Sequence, residues 1–304
     1  MNAQNAVQTP RRRKLKRKAM IACFLIPAFL FLIYAVYFPF AWNVSMSFQE
    51  WDGFSDPEWV GVENYAEVFD DNTSIKSIKN SIFLALTSTI GAVVLGVFLA
   101  ALVYKVYRRE GAFYRLIMFM PVMLPSAIIG LLFVFFFNYE SGLLNSFLRV
   151  LGLGDLTKAW LENKNTVLWC IAFVNIWKMS GLSMMLTFAA MQMLPTSIFE
   201  SSRLEGAGYT RQFFSLILPL IKPTVLLCAV YTLSVNFKAY DIVSIMTAGG
   251  PGTTSYVVPI NMIKTAFNFG EFGYAAAQGT VLMIIVVLIV CIMRSVLKGE
   301  SYEY

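Results

Sequence analysis

Six long apolar runs divide this chain, and they constrain its fold more than any other feature. Each run is near or above the ~20 residues that a helix needs to cross the hydrocarbon core of a bilayer. Because lipid offers no hydrogen-bond partners, the backbone of such a run must satisfy its own polar groups, as an α-helix does. The sequence therefore predicts an all-α polytopic membrane protein with six transmembrane helices, at about residues 20–42, 81–104, 116–138, 167–191, 213–236 and 275–297.

Composition excludes a soluble globular protein and several kinds of chemistry. Of the 304 residues, 58% are hydrophobic and only 14% are charged, whereas a soluble domain has about 25% charged residues. There is no histidine, so histidine-based catalysis and most zinc chemistry are absent. The four cysteines fall inside apolar runs without ligand spacing, so we expect neither disulfides nor a bound metal. They are Cys23, Cys170, Cys228 and Cys291.

The distribution of positive charge predicts the orientation of the chain. The basic run Arg11–Lys18 directly precedes the first apolar run, which favours a membrane anchor over a nucleic-acid site. That apolar run is too long for a signal peptide, and no small-residue cleavage site follows it. With the N-terminus inside, fifteen Lys and Arg residues lie in cytoplasmic segments and seven in outer loops. We therefore expect both termini in the cytoplasm, a basic tail over residues 1–18 and a membrane domain over 19–304.

The loop between the fourth and fifth runs, residues 192–212, is too polar to lie inside a bilayer and is predicted to be cytoplasmic. Pro195 can begin a helix there, and Thr196–Glu205 is compatible with one. Gly206 can adopt the left-handed conformation that ends a helix, and Thr210 can cap the next one. A short rigid helix held on a membrane face suits docking to a partner, and the loop has no residues typical of a catalytic site.

This loop resembles the EAA loop of the permease subunits of bacterial ABC importers. The resemblance is carried by Glu200-Ser201-Ser202, Gly206-Ala207, Ile217-Leu218-Pro219 and Pro223. It implies a type I ABC importer permease fold in which the loop is the coupling helix that enters a groove of the ATPase. Ser201 and Ser202 stand where two alanines are usual, and Glu205 where aspartate is usual. The implied coupling residues are Glu200, Ser201, Ser202, Leu204, Glu205, Gly206 and Ala207. The alternative is an ordinary amphipathic helix at the interface.

The outer loops resemble those of the carbohydrate-uptake branch of the same family. The cluster Gly249–Gly252 forces a turn. With its neighbours Thr247, Thr253-Thr254 and the later Tyr274–Ala277, it is similar to permeases of maltose, multiple-sugar and glycerol-phosphate importers. The strings SFQEWDGF and WVGVENYAEVF in the first outer loop resemble the same branch. The resemblance implies import of a sugar; a permease for another solute, such as an amino acid, phosphonate or phosphate, is the alternative.

The resemblance also implies the partners of this chain in a bacterial inner or plasma membrane. These are a second, related permease or a second copy, two copies of a sugar-type ABC ATPase, and an extracytoplasmic solute-binding protein. The sequence has no GxxxxGK[ST] phosphate loop, so ATP and Mg²⁺ are expected on the ATPase and no cofactor on this chain. Membrane lipid is expected to surround it, and nucleic acid is not a partner. A membrane-embedded enzyme is a third hypothesis, but the spans lack the paired acids or nucleophile–base pairs that it would need.

A solute path requires polar groups at depths where lipid disfavours them. Lys178 and Asn175 lie in the fourth run, and Thr232 and Asn236 lie one helical turn apart in the fifth. By resemblance, Thr232, Val235 and Asn236 match sugar-lining positions, whereas Leu182 differs in type from the residue usual at its position. The alternative for Lys178 is that its side chain extends to the outer interface. The candidate path residues are Asn175, Lys178, Leu182, Thr232, Val235, Asn236 and Tyr240.

Three smaller features complete the sequence-based expectations. Prolines in the third run (Pro121, Pro125) and the fifth (Pro219, Pro223) predict bends. Asn64 followed by Glu67 predicts a capped short helix in the first outer loop. Leucines and phenylalanine at helical spacing over residues 143–151 predict a short helix lying on the outer surface.

Overall fold

The structure is a computed structural model that describes residues 10–106 and 108–296. Within them, helices joined by loops and one short hairpin make up the fold. The helices are α1 Pro10–Leu32, α2 Phe38–Met46, α3 Glu63–Asp70, α4 Asn72–Tyr104, α5 Arg108–Met123, α6 Ser126–Phe136, α7 Leu143–Val150, α8 Val167–Gln192, α9 Thr196–Leu204, α10 Tyr209–Gln212, α11 Leu218–Leu220, α12 Lys222–Phe237, α13 Asp241–Thr247, α14 Val258–Asn268 and α15 Phe272–Val296. Antiparallel strands β1 Gln49–Glu50 and β2 Glu58–Trp59 form the hairpin. The predicted all-α membrane class is confirmed.

The helices long and apolar enough to cross a membrane match the predicted runs in position. Within the described residues there are four of them, and up to six if each of two bent pairs counts as one span. The four are Met20–Met46, Asn72–Tyr104, Val167–Gln192 and Phe272–Ser295. Helix α4 starts nine residues before its predicted start, since Asp71 caps it by accepting hydrogen bonds from the N–H groups of Thr73 and Ser74. Leu297, the predicted end of the sixth span, lies outside the described residues.

Two spans bend sharply at proline-containing breaks. Helices α5 and α6 meet at 98°, and the pair Tyr209–Leu220 and Lys222–Phe237 meets at 68°. The first break lies at Pro125, which has extended backbone and precedes α6, while Pro121 remains inside α5. At the second, Pro223 lies in the first turn of α12, where its missing N–H removes no helical hydrogen bond. The predicted bends are therefore present, although only some of the prolines lie at them.

The centre of the molecule is the close packing of α4 against α8. A Cβ atom on Gly96 would lie 2.5 Å from Ser183 Cβ and 2.8 Å from the Met184 backbone nitrogen. Small residues at such a contact let two helix backbones approach closely, which is how membrane helices associate without a hydrophobic driving force. Helix α12 packs on another side of α4, and α5 packs against α8. The loop between α8 and α12 is thereby held on a rigid support.

The loops at the N-terminal end of α4 fold back on the helices. Asn80 Nδ2 donates to the carbonyl oxygens of Thr254 and Tyr256, both at 2.8 Å, and so holds the Gly249–Gly252 turn against α4. Gly249 has φ +90°, and its Cβ position lies 2.3 Å from the ring of Tyr256, so a side chain does not fit there. The predicted short helix of the second outer loop is α7, where buried Asn145 accepts from Trp160 Nε1 at 2.7 Å.

Two predicted caps are wrong. Asn64 lies inside α3 and does not cap it; its amide donates to the carbonyl oxygens of Ser47 and Gln49, at 3.1 and 2.9 Å. Thr210 lies inside α10, whose N-cap is Gly208 without a side-chain bond. Both helices begin after residues, Val62 and Gly208, that make no side-chain capping bond. Of the predicted basic tail, residues 1–9 lie outside the described part, and Pro10–Lys18 form the first turns of α1.

Candidate functional site

The loop between α8 and α12 forms a rigid elbow over residues 195–212. Pro195 has extended backbone and precedes α9, and Gly206 ends the helix with φ +79°. The Gly206 N–H donates to the Arg203 carbonyl and the Ala207 N–H to the Ser202 carbonyl, both at 3.0 Å. These two bonds form the Schellman pattern, which satisfies carbonyl groups that the helix end would otherwise leave free. The helix, glycine turn and second helix read from the sequence are all present.

Three contacts fix the elbow to the membrane helices. Gln212 Nε2 donates to the hydroxyl of buried Ser202 at 2.9 Å, which ties α10 to α9. The hydroxyl of Tyr209 donates to the Ala101 carbonyl at 2.7 Å, which ties α10 to α4. The Phe199 ring of α9 packs near the Tyr104 ring at the end of α4, with centroids 6.3 Å apart. Movement of α9 would therefore be transmitted directly to α4 and to the α10–α12 segment.

Most of the predicted coupling residues lie on the face of the elbow that is directed away from the membrane helices. Glu200, Ser201, Glu205 and Gly206 are exposed, and Ala207 is half-buried. Leu204 is 91% exposed although it sits on a well-fixed helix. Ser202 differs from the others because its side chain faces inward and supports the elbow. A short helix that is fixed on its inner side and exposes a leucine on the other can enter a partner's groove.

Lys178 lies at membrane depth beside the break between α5 and α6. It is the twelfth of the 26 residues of α8, about 17 Å along the helix from its first residue. Its Nζ atom donates to Ser126 Oγ at 2.5 Å, at the first residue of α6. An ionisable group in the middle of a span, next to a broken helix, is typical of a transport path.

The other candidate path residues are not gathered into one cluster by their contacts. Asn175 is buried, and its Nδ2 atom has no partner within the described part of the chain. Asn236 donates to Thr89 Oγ1 of α4 at 3.2 Å, and Thr232 is buried beside it on α12. Leu182, Val235 and Tyr240 are half-buried. The structure therefore places Thr232 and Asn236 in helix packing, while Lys178 lies at the helix break.

A polar network near the N-terminal ends of α4 and α15 was not predicted from the sequence. The hydroxyls of Ser74 on α4 and Tyr274 on α15 lie 2.9 Å apart. Asn261 Nδ2 and Gln278 Nε2 also donate to Ser74 Oγ, each at 3.1 Å. These bonds join α4, α14 and α15. Ser74, Asn261 and Tyr274 lie outside the predicted spans, where polar side chains are ordinary and give no signal. Only Gln278 lies inside a predicted span, and its amide was the available signal, since buried polar groups usually have hydrogen-bond partners.

An acidic cavity of about 340 Å³ lies between the loop that precedes α4 and the loop that precedes α15. It is lined by Glu50, Asp52, Glu63, Glu67 and Glu271 among others. Burial, followed by the charges of Glu271, Asp71 and Glu50, raises the pKa of Glu67. Hydrogen bonds from the backbone N–H groups of Ser55 and Phe54 lower the pKa of Asp52 to about 2. Within residues 10–106 and 108–296, no three such side chains are grouped closely enough to hold a metal ion.

Comparisons with known proteins agree with this architecture. The family model of binding-protein-dependent transport system inner membrane components matches residues 92–298. The probable ABC transporter permease protein YurN of Bacillus subtilis (strain 168) is 36% identical, covering 92% of this chain and 96% of that protein. The diacetylchitobiose uptake system permease protein NgcF of Streptomyces coelicolor (strain ATCC BAA-471 / A3(2) / M145) is 33% identical, covering 90% of this chain and 81% of that protein.

A solved structure supports the fold independently. A permease chain of a bacterial alginate ABC transporter, solved in complex with an alginate pentasaccharide-bound periplasmic protein, superposes with a TM-score of 0.81. The match covers 94% of this chain and 98% of that chain at 20% sequence identity, so it shows a shared fold and nothing more. With the family model spanning the elbow and the core helices, the chain belongs to the family of binding-protein-dependent transport system inner membrane components.

Proposed function

We propose that this chain is a permease subunit of an ATP-driven sugar importer and forms half of its translocation path. The family is a transport family, and the relative named for diacetylchitobiose uptake carries a sugar derivative. The sequence contains no phosphate-binding loop, so ATP and Mg²⁺ would be bound by a separate ATPase. The chain would therefore supply a path and a lever, while the partner supplies the energy.

The observation that carries the mechanism is the exposed Leu204 on a helix that is fixed on its inner side. Two ATPase copies closing on ATP would move α9, and the Ser202–Gln212 and Tyr209–Ala101 bonds would pass that motion to the membrane helices. The path would then open alternately to the two sides of the membrane. Such coupling requires an element with two arrangements that both sites influence, and the elbow, bent at Gly206 and followed by the break before α12, fits that requirement.

Replacing Leu204 tests this proposal. In Leu204→Ser, the apolar contact with the ATPase is lost. Because burial of one leucine contributes ~1.5–3 kcal/mol, we expect the affinity for the ATPase to fall by about 10-fold or more. The measurements are co-purification of the ATPase and solute-stimulated ATP hydrolysis in proteoliposomes. Leu156→Ser, which removes a 51% exposed leucine from an outer loop, is the matched control. Wild-type association of the Leu204 variant would contradict the proposed docking.

A second permease is the partner that the membrane helices themselves require. No residue in the most apolar window of the span Met20–Met46 is buried within this chain, and Asn43 near its end makes only weak bonds of 3.4 Å to α15. The end of the span, α2, packs against α15, but its most apolar window has no buried residue and is available to pack against another subunit. We infer a pair of related permeases, two ATPase copies and an extracytoplasmic binding protein, the last supported by the complex in which the alginate relative was solved.

The orientation and the path complete the proposal. Both termini and residues 192–212 would lie in the cytoplasm of a bacterial cell, as the positive charges predict. Lys178, near the middle of α8, is too deep for its ammonium to reach the outer interface easily, which favours the path over the interface. Asn175, Leu182, Thr232, Val235, Asn236 and Tyr240 remain candidate path residues. Uptake of labelled oligosaccharides by cells lacking this chain, with and without complementation, tests the solute class; loss of amino-acid uptake alone would contradict it.

A further inference from the structure

Two cavities of opposite character meet at the end of α4. One, of about 510 Å³, is lined by side chains of the elbow, several of them polar or charged, and the other, of about 560 Å³, is an almost wholly apolar groove. Lys105 and Tyr209 line both. The first is called the basin and includes Thr196, Glu200, Arg203 and Gln212; the second is called the groove and includes Val94, Phe98, Phe214 and Leu218. A single ligand that fills both must have a polar head and an apolar tail.

The junction between the cavities is held in a fixed shape. The Tyr209 hydroxyl donates to the Ala101 carbonyl at 2.7 Å, and Lys105 Nζ lies 4.0 Å from the centre of the Tyr209 ring. Lys105 is the first residue after α4, so its ammonium group lies where the hydrocarbon core gives way to the polar region. The basin is lined by two cations, Lys105 and Arg203, and one acid, Glu200, which leaves a net positive charge.

The groove and the cavity that continues it run along α4 between Leu86 and Lys105, about 28 Å at 1.5 Å per residue, which is long enough for an acyl chain. Phe98 and Phe214 on its two walls are 57% and 62% exposed. It continues past Val94 and Val225 into a further apolar cavity of about 360 Å³ between α4 and α12. Basic pockets beside transmembrane helices bind the head groups of anionic lipids, and each CH₂ group buried from water adds to the binding.

We propose that the basin and the groove together bind one anionic phospholipid, with its phosphate beside Lys105 and Arg203 and an acyl chain along Val94, Phe98 and Leu218. A loop of a soluble partner fits the basin but not a groove at membrane depth. A membrane-spanning helix of another subunit fits the apolar groove, but the groove ends in the basin lined by Lys105 and Arg203, which suits an anionic head group. Because Thr196, Glu200 and Arg203 belong to α9, the bound lipid would hold the elbow against α4. The site stands whether or not the chain imports a sugar.

The test compares lipid binding to the full chain, purified from membranes with the subunits that remain bound. Native mass spectrometry would count phosphatidylglycerol and phosphatidylcholine molecules retained after each is supplied at equal concentration. Since one juxtamembrane Lys contributes ~1 kcal/mol toward an anionic lipid, we expect roughly fivefold tighter retention of phosphatidylglycerol. Lys105→Glu and the milder Lys105→Gln should remove this preference, and Val94→Trp should lower retention by filling the groove.

Two controls are matched to these variants. Lys164→Glu makes the same charge change at an exposed outer-loop lysine, and Leu227→Trp adds the same ring at a 70% exposed position on α12 outside the groove. Both should retain phosphatidylglycerol as the parent chain does. Equal retention of the two lipids, or a preference unchanged in the Lys105 variants, would overturn the proposal. Phosphatidylglycerol retention unchanged by Val94→Trp, or a disulfide from Val94→Cys to a second subunit at full occupancy, would overturn it too.

Discussion

Gly206 is the residue on which the elbow depends most directly. Its φ of +79° is rarely adopted by L-residues, and its N–H donates to the Arg203 carbonyl. Proline has neither the conformation nor the N–H, so Gly206→Pro should break the end of α9 at a cost of about 3 kcal/mol. We expect the variant to insert in the membrane but to lose solute-stimulated ATP hydrolysis, measured in proteoliposomes.

The control for that variant is Gly208→Ala, two residues further along. Gly208 has φ −68°, and nothing lies within 4 Å of its Cβ position, so alanine fits without strain. Its ATP hydrolysis should match that of the parent chain. Stimulated hydrolysis that survives in Gly206→Pro would show that the coupling does not pass through this turn.

The acidic cavity predicts a pH dependence at Glu67. Burial and the neighbouring charges of Glu271, Asp71 and Glu50 raise its pKa, so the folded state favours the protonated form. Its contribution to stability is therefore fully present below about pH 4 and is lost as pH rises through the raised pKa. Glutamine does not ionise, so Glu67→Gln does not lose this stability as pH rises. At pH 7 its free energy of unfolding should exceed that of the parent chain, by no more than about 0.5 kcal/mol because solvent screens the site.

The measurement is the thermal unfolding midpoint at pH 4 and at pH 7. The Glu67→Gln variant should unfold at the parent's temperature at pH 4 and slightly above it at pH 7. The exposed Glu58→Gln on β2 is the control for loss of one charge. The pKa of Asp71 shifts in the opposite direction to that of Glu67. Burial acts to raise it, but hydrogen bonds from the backbone N–H groups of Thr73 and Ser74 outweigh burial and lower it. A midpoint for Glu67→Gln below that of the parent at pH 7 would contradict the account.

At the scale of elements, the contact of α4 with α8 depends on Gly96. A Cβ atom there would lie 2.5 Å from Ser183 Cβ and 2.9 Å from the Ser180 carbonyl oxygen, and a backbone cannot move aside cheaply. Gly96→Val should therefore separate the helices and cost about 1–3 kcal/mol or more, the range for overpacked sites. The thermal midpoint in detergent should fall by several degrees, while Ile90→Val, on the exposed face of α4, should leave it unchanged. Equal midpoints would mean that the helices are not in close contact.

The positions of the membrane helices could be read from the sequence, but not all of their ends and bends. Runs of about 20 apolar residues have no stable alternative to a helix in lipid, which is why the span Val167–Gln192 agrees with its predicted range within one residue. The two prolines of this span behave differently: Pro121 lies inside the continuous helix α5, whereas Pro125 takes extended backbone at the bend before α6. That choice is made by tertiary packing, which a local pattern does not contain.

The same reasoning explains which parts of the site were predictable. The elbow is encoded locally, by Pro195 and Gly206, so its helix and turn followed from the sequence alone. The inward direction of Ser202 depends on Gln212, and the support of Tyr209 depends on Ala101, more than a hundred residues earlier. Long-range bonds of this kind, including those of Asn80 and Ser74, leave no spacing pattern in the sequence.

At the scale of the whole molecule, the central claim is that the elbow is a cytoplasmic lever for a separate ATPase. The most direct measurement labels Ser201→Cys, in a chain whose four cysteines are replaced by serine or alanine, with a membrane-impermeant maleimide. Ser201 is exposed, so we predict labelling in inside-out vesicles, none in intact cells, and protection when the ATPase is bound. Labelling of intact cells would place the elbow on the outer face and contradict the account.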